Sequence, residues 1–113
     1  MPQTTLLKAD FSCACHRSGE TVRVSPVGEV DVETVIELAW ALEEALTQER
    51  LVILDLTGLT FLDTSGVHAI VDASRRAGRD DRRLIVLRGQ GPVRAIFALT
   101  GTEDSVELVD AFD

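Results

Sequence analysis

The chain has 113 residues, 45% hydrophobic and 27% charged, with a formal net charge of −8, which suits one domain with a single core of ordinary extent. The acidic balance repels phosphate backbones and anionic lipid head groups, which argues against nucleic acid and membrane partners. No apolar run approaches the roughly 20 residues that cross a bilayer, and Met1-Pro2-Gln3-Thr4-Thr5 lacks the basic end of a signal peptide, so a soluble, cytoplasmic protein is expected.

Phe11-Ser12-Cys13-Ala14-Cys15-His16 alternates weakly, Arg17-Ser18-Gly19-Glu20 supplies a turn, and Thr21-Val22-Arg23-Val24-Ser25 alternates clearly. The pattern predicts a hairpin, with Val22 and Val24 facing a core and Thr21, Arg23 and Ser25 on a wetter side. Pro26 is expected to end regular pairing or to confine it to an edge. Cys13 and Cys15 share one strand face, a poor geometry for a disulfide. With His16 they offer three ligands within four residues and no second cluster, so no metal is expected and both cysteines read as small side chains packing a strand.

After Asp31, Val35, Leu38, Ala39, Leu42, Ala45 and Leu46 recur at spacings of three and four, while Glu33, Glu37, Glu43 and Glu44 occupy other faces. This predicts an amphipathic helix, its first free N–H groups capped by Asp31 or a near neighbour. Trp40 lies off the main stripe, either over a rim of the core or in a contact surface. Leu51-Val52-Ile53-Leu54-Asp55-Leu56 then reads as a buried central strand.

The polar joint Phe61-Leu62-Asp63-Thr64-Ser65-Gly66 leads into a second helix carrying Val67, Ile70, Val71, Ser74 and Ala77, expected to stop near Gly78. Arg75-Arg76 and Arg82-Arg83 flank Asp80-Asp81, the composition of a solvated helix end and turn, and Lys8 is the sole lysine. Leu84-Ile85-Val86-Leu87 repeats the buried-strand character, Gly91-Pro92 opens a third helix with Val93, Ile96, Phe97 and Thr100, and Gly101 closes it. Val106, Leu108 and Val109 offer a last short strand. The alternation of strands and helices predicts an α/β domain over residues 1–113, with a mixed sheet of an N-terminal hairpin plus parallel strands and about three packed helices.

At the joint, Asp63 or Thr64 caps the second helix and places Ser65 in its first turn, where free N–H groups favour negative charge. Gly66 either leaves the Ser65 hydroxyl approachable or serves backbone conformation alone. Three enzymatic or signalling readings fail on missing parts. An aspartic protease needs a sheet-rich fold around paired aspartates, whereas a helix follows Asp63. A Ser65–His68 hydrolase lacks Gly-x-Ser-x-Gly and an acid to orient the histidine. A receiver domain built on Asp55 lacks its late lysine.

The strand from Leu51 to Leu56, the Asp63-Thr64-Ser65-Gly66 loop and the helix after it resemble the STAS domain of bacterial anti-sigma factor antagonists. Val27-Gly28-Glu29-Val30-Asp31 is similar to that family's Gly-Glu-Leu-Asp segment, and Val93 to Gly101 to its third-helix segment; the likeness runs from about Val22 to Val109. The resemblance implies phosphorylation at Ser65, partner contacts at Asp31, Asp63, Thr64, Ser65 and Gly66, and no catalysis or cofactor in this chain. It implies as partners an anti-sigma factor that is also a serine kinase, with ATP bound on that kinase, and a serine phosphatase. A STAS scaffold that binds partners without being phosphorylated is the alternative. Many relatives add a final helix where this chain stops at Asp113, so that helix is expected to be absent or reduced.

Overall fold

A computed structural model describes residues 10–111. Met1 to Thr5, Lys8 and the chain end at Asp113, on which the targeting, lysine and final-helix readings bear, lie outside the described residues. The hairpin forms as its alternation predicts. Strand β1 (Phe11–Ser18) pairs antiparallel with β2 (Thr21–Val30) across a turn in which Gly19 has φ 63°, a conformation that glycine adopts without a Cβ penalty.

Pro26 does not end β2, which pairs Pro26 with Cys13 and continues to Val30. The reason lies in where its absent donor would point. On the side away from β1, β2 pairs in parallel with β3 (Leu51–Asp55) through Thr21–Val24 and with β4 (Leu59–Leu62) through Gly28–Val30. Gly28 donates its N–H to the Gly58 carbonyl at 3.1 Å on that side. By strand alternation the donor that Pro26 lacks would face the gap between β3 and β4, so no ladder bond is lost.

Strand β4 departs from the polar joint expected there. Its four residues bury only Leu59 and Leu62 and expose Thr60 and Phe61, so it shows neither alternation nor an apolar run. Pairing with β2 and the two buried leucines hold it. The sheet is completed by β5 (Arg83–Leu87) beside β3 and β6 (Glu107–Val109) beside β5, giving the order β1-β2-β3-β5-β6 with β4 on β2 and every pair parallel except the hairpin.

Three α-helices connect these strands: α1 (Val35–Gln48), α2 (Thr64–Arg79) and α3 (Gly91–Leu99). Helix α1 lies against β1, β2, β3 and α2, while α2 lies against β5 and β4. Leu38, Leu42, Val24, Val52, Leu54, Leu56, Ile70 and Phe97 meet in the core, all essentially inaccessible, each contributing on the order of 1.5–3 kcal/mol by burial. Arg23 and Asp55 pair at 2.8 Å and remain partly exposed.

Gly78 lies inside α2, which ends one residue later at Arg79. The reversal is made instead by Asp81, with φ 59°, and by Arg82, whose N–H donates to the Ala77 carbonyl at 2.8 Å; a short polar side chain tolerates this left-handed geometry. Gly101, with φ 69°, closes α3 as expected. Cys13 packs against the core, but Cys15 is exposed, so only one of the two cysteines plays the packing role. Burial raises the Cys13 thiol pKa to about 11, with Cys15 and Glu37 adding to it. No helix follows β6 among the described residues, and none of their helices is long and apolar enough to cross a membrane.

Candidate functional site

Val30 at the end of β2 pairs with Leu62 at the end of β4, so Asp31 and Asp63 leave the same end of two neighbouring strands. The Asp63 N–H donates to the Val30 carbonyl at 3.1 Å, which ties the second aspartate to the strand before the first. Asp63 is extended, with φ −98° and ψ −175°, and is the N-cap of α2. Its Oδ1 accepts the Ser65 N–H at 3.0 Å and the Gly66 N–H at 3.2 Å. The Ser65 Oγ hydroxyl donates to the same oxygen at 2.5 Å.

Asp63 rather than Thr64 is therefore the cap, and a cap of this kind contributes about 1 kcal/mol. Thr64 is exposed beside it, and Ser65 is half-buried. The Ser65 hydroxyl turns to Asp63, not to the exposed His68, so the donor arrangement of a serine nucleophile is not assembled. No cluster of three or more potential metal ligands occurs among the described residues.

Gly66 is not among the glycines with positive φ, so backbone conformation alone does not account for it. A Cβ there would lie 2.3 Å from Leu62 Cδ1 and 2.8 Å from Val30 Cγ1. The residue is buried, and glycine is favoured there because the first turn of α2 lies against the Leu62 and Val30 side chains.

Asp31 builds a parallel turn ahead of α1. Its Oδ1 accepts the Glu33 N–H at 2.9 Å and the Thr34 N–H at 3.2 Å, while its carbonyl accepts the Val35 N–H at 2.8 Å. Thr34 is the formal N-cap but makes no side-chain cap bond; its Oγ1 accepts the Asp31 N–H at 3.0 Å and donates to the Glu29 carbonyl at 2.9 Å. Asp31, Asp63, Thr64, Ser65 and Gly66 thus gather at one end of the sheet.

Near the start of α1 is an exposed apolar feature of which the sequence singled out only Trp40. Ile36 and Trp40, four residues apart on α1, are 72% and 66% exposed, Val32 in the turn before the helix is 70% exposed, and Phe61 is exposed before Asp63. The spacing itself was the available signal, overshadowed by the stronger core stripe of the same helix. Asp55, by contrast, is committed elsewhere: burial pushes its pKa up, but donors from Thr57 and Arg23 outweigh that and hold it below the ordinary carboxylate value.

A family model described as STAS domain matches residues 14–113. The fold is similar to the crystal structure of an anti-sigma factor antagonist from Mycobacterium paratuberculosis, with TM-score 0.80 and 22% identity over 91% of this chain and 88% of that chain. It is similar to the anti-sigma factor antagonist SpoIIAA in its unphosphorylated form, with TM-score 0.75 and 23% identity over 90% of each chain. It also resembles the Bacillus cell fate determinant SpoIIAA in the phosphorylated form, with TM-score 0.69 and 23% identity over 90% of this chain and 93% of that one. No curated protein sequence matches.

Proposed function

The chain belongs to the STAS domain family, and on that premise we propose that residues 1–113 form one STAS domain acting as an anti-sigma factor antagonist, switched by phosphorylation of Ser65. The observation that carries this reading is the Ser65 hydroxyl, held at 2.5 Å by Asp63 in the first turn of α2 with no catalytic partner of its own. In this reading the hydroxyl is the substrate of another protein's kinase. Fold neighbours that are anti-sigma factor antagonists, one of them described in both unphosphorylated and phosphorylated forms, support the same role.

In this reading the unphosphorylated domain binds an anti-sigma factor that is also a serine kinase, using ATP bound on that kinase, and so frees a sigma factor in the cytoplasm. Asp31, Thr64 and Ser65 lie in the contact area with the buried Gly66 beneath them, Asp63 orients the hydroxyl, and the exposed Val32, Ile36 and Trp40 extend the surface. Phosphorylation adds about −1.5 to −2 charge and three acceptor oxygens at the centre of the docked face. Desolvating that group weakens binding by roughly 100-fold, a few kcal/mol, and a serine phosphatase restores the binding form. A second reading, a scaffold that binds without phosphorylation, is favoured by these exposed apolar side chains, which need no phosphate to be recognised.

Incubation with ATP and the cognate kinase is expected to add one phosphate, located by mass spectrometry on Ser65 and absent from Ser65→Ala. Persistent transfer to Ser65→Ala overturns the site. Unchanged calorimetric affinity of folded Ser65→Asp for the kinase overturns the switch and favours the scaffold.

A further inference from the structure

Asp63 Oδ1 holds three donors at once: the Ser65 hydroxyl at 2.5 Å, the Ser65 N–H at 3.0 Å and the Gly66 N–H at 3.2 Å. The close approach of two oxygens is tolerated because the hydroxyl places a proton between them. Phosphoryl transfer from ATP forms the Oγ–P bond, breaks the bond between the β and γ phosphates to release ADP, and passes that proton to a base of the kinase. The contact between Oγ and Oδ1 then loses its donor. In its place stands a group of about −1.5 to −2 charge whose terminal oxygens reach the same N–H groups that Asp63 occupies.

We propose that phosphorylation of Ser65 evicts the Asp63 carboxylate from its own cap, the phosphate taking over the Gly66 N–H and the first turn of α2, and the freed carboxylate moving out to the rim of the site. This rests on Ser65 being the phosphorylated residue. The backbone does not need to follow. The Asp63 N–H stays on the Val30 carbonyl at 3.1 Å, and the Asp63 carbonyl still accepts the Val67 N–H at 3.1 Å, so the exchange is a side-chain rotation between two fixed main-chain bonds.

The helix loses nothing essential, because a phosphate is at least as good a cap for the positive end of its dipole. The surface, however, changes by more than the phosphate alone. A carboxylate that spent its lone pairs on internal donors now faces solvent at the strand end that also carries Asp31. A partner that docks here meets two new anionic groups for one covalent event, and the phosphate, held by main-chain donors, keeps a single geometry.

The experiment installs phosphoserine at position 65 by genetic encoding, so no kinase is needed, and compares thermal unfolding of four full-length chains: unmodified and phosphorylated, each with Asp63 or with Asp63→Ala. In the unmodified chain, loss of the cap is expected to lower Tm by about 4 °C. In the phosphorylated chain the same substitution leaves Tm unchanged or raises it, because the carboxylate is no longer a cap and only repels. An equal drop in both backgrounds overturns the exchange. A second measurement does not depend on that variant folding: the Gly66 amide in the phosphorylated wild-type chain is expected to titrate with the phosphate, near pH 6, in heteronuclear NMR spectra. A Gly66 amide that ignores the phosphate also overturns the proposal. Absence of kinase-dependent phosphorylation bears only on the proposed function, since the phosphate here is placed without a kinase.

Discussion

The starts of α1 and α2 use one device with two outcomes. Each begins with an aspartate whose Oδ1 accepts the N–H groups two and three residues on, at 2.9 and 3.2 Å for Asp31 and at 3.0 and 3.2 Å for Asp63. Each turn carries a hydroxyl. At α1 the hydroxyl is three residues after the aspartate, on Thr34, which is 7% exposed and bonded on both sides by Asp31 N–H and the Glu29 carbonyl. At α2 it is two residues after, on half-buried Ser65, with Asp63 as its acceptor. The third position points into the sheet in both turns: Thr34 fills it in one, and Gly66 leaves it empty in the other because Leu62 and Val30 leave no room. One residue of offset thus separates a buried hydroxyl bonded on both sides from a half-buried one bonded to Asp63 alone.

The contrast predicts opposite losses. Thr34→Val keeps shape but takes the hydroxyl from the part-buried Asp31 N–H and Glu29 carbonyl, and is expected to destabilise by about 2 kcal/mol, because water reaches these groups in part and the full penalty of 1–3 kcal/mol each does not apply. Ser65→Ala removes one bond to a carboxylate still held by two N–H groups, and is expected to remain within about 1 kcal/mol of wild type. Urea unfolding of the two variants side by side measures the difference. Comparable losses would erase the distinction between the turns.

A middle effect is expected at the empty third position. Gly66→Ala gains helix propensity, but its methyl meets Leu62 and Val30, which are 2% and 0% exposed and have little freedom to move. Overpacking of 1–3 kcal/mol exceeds the propensity gain of at most about 1 kcal/mol. A net loss of about 1–2 kcal/mol in thermal or chemical unfolding is expected, with helix content retained. If Gly66→Ala is instead neutral or stabilising, the tight approach of α2 to the strands is not what demands glycine there.

The periodic parts of the molecule were legible because their patterns are local. The three and four spacing of Val35, Leu38, Leu42 and Ala45, the alternation of Val22 and Val24, and the capping residues Asp63 and Thr64 ahead of an apolar stripe read directly as α1, β2 and a helix start. What escaped depends on neighbours distant in the chain. Pro26 is harmless only because β3 and β4 leave a gap beside it. Strand β4 exists through pairing with β2, and Gly66 is favoured because Val30 and Leu62 lie against it. The resemblance of the Asp63-Thr64-Ser65-Gly66 segment to its family located the candidate hydroxyl, but not the bond that ties that hydroxyl to its own cap.

A third aspartate supplies the control for both turns. Asp55 Oδ1 accepts the Thr57 N–H at 2.9 Å and the Thr57 hydroxyl at 2.6 Å, the same two-residue offset as Asp63 and Ser65, but no helix follows and Arg23 holds Oδ2 at 2.8 Å. Burial opposes ionisation of Asp55, yet the bonds from Thr57 and Arg23 prevail and its folded pKa is lowered. A depressed carboxylate pKa stabilises the fold fully above the unfolded value, near 3.9, and the contribution disappears as pH falls through the folded value. Asp55→Asn is therefore expected to cost about 1 kcal/mol at pH 7, discounted for the partial exposure of Arg23, and progressively less below about pH 4. A difference from wild type that stays constant from pH 7 to pH 2 would remove the ion pair as its cause. Thr57 also separates geometry from context. If the kinase modifies Ser65 and leaves Thr57 untouched, then an aspartate-held hydroxyl is not sufficient, and the free N–H groups of a helix start are part of what is recognised.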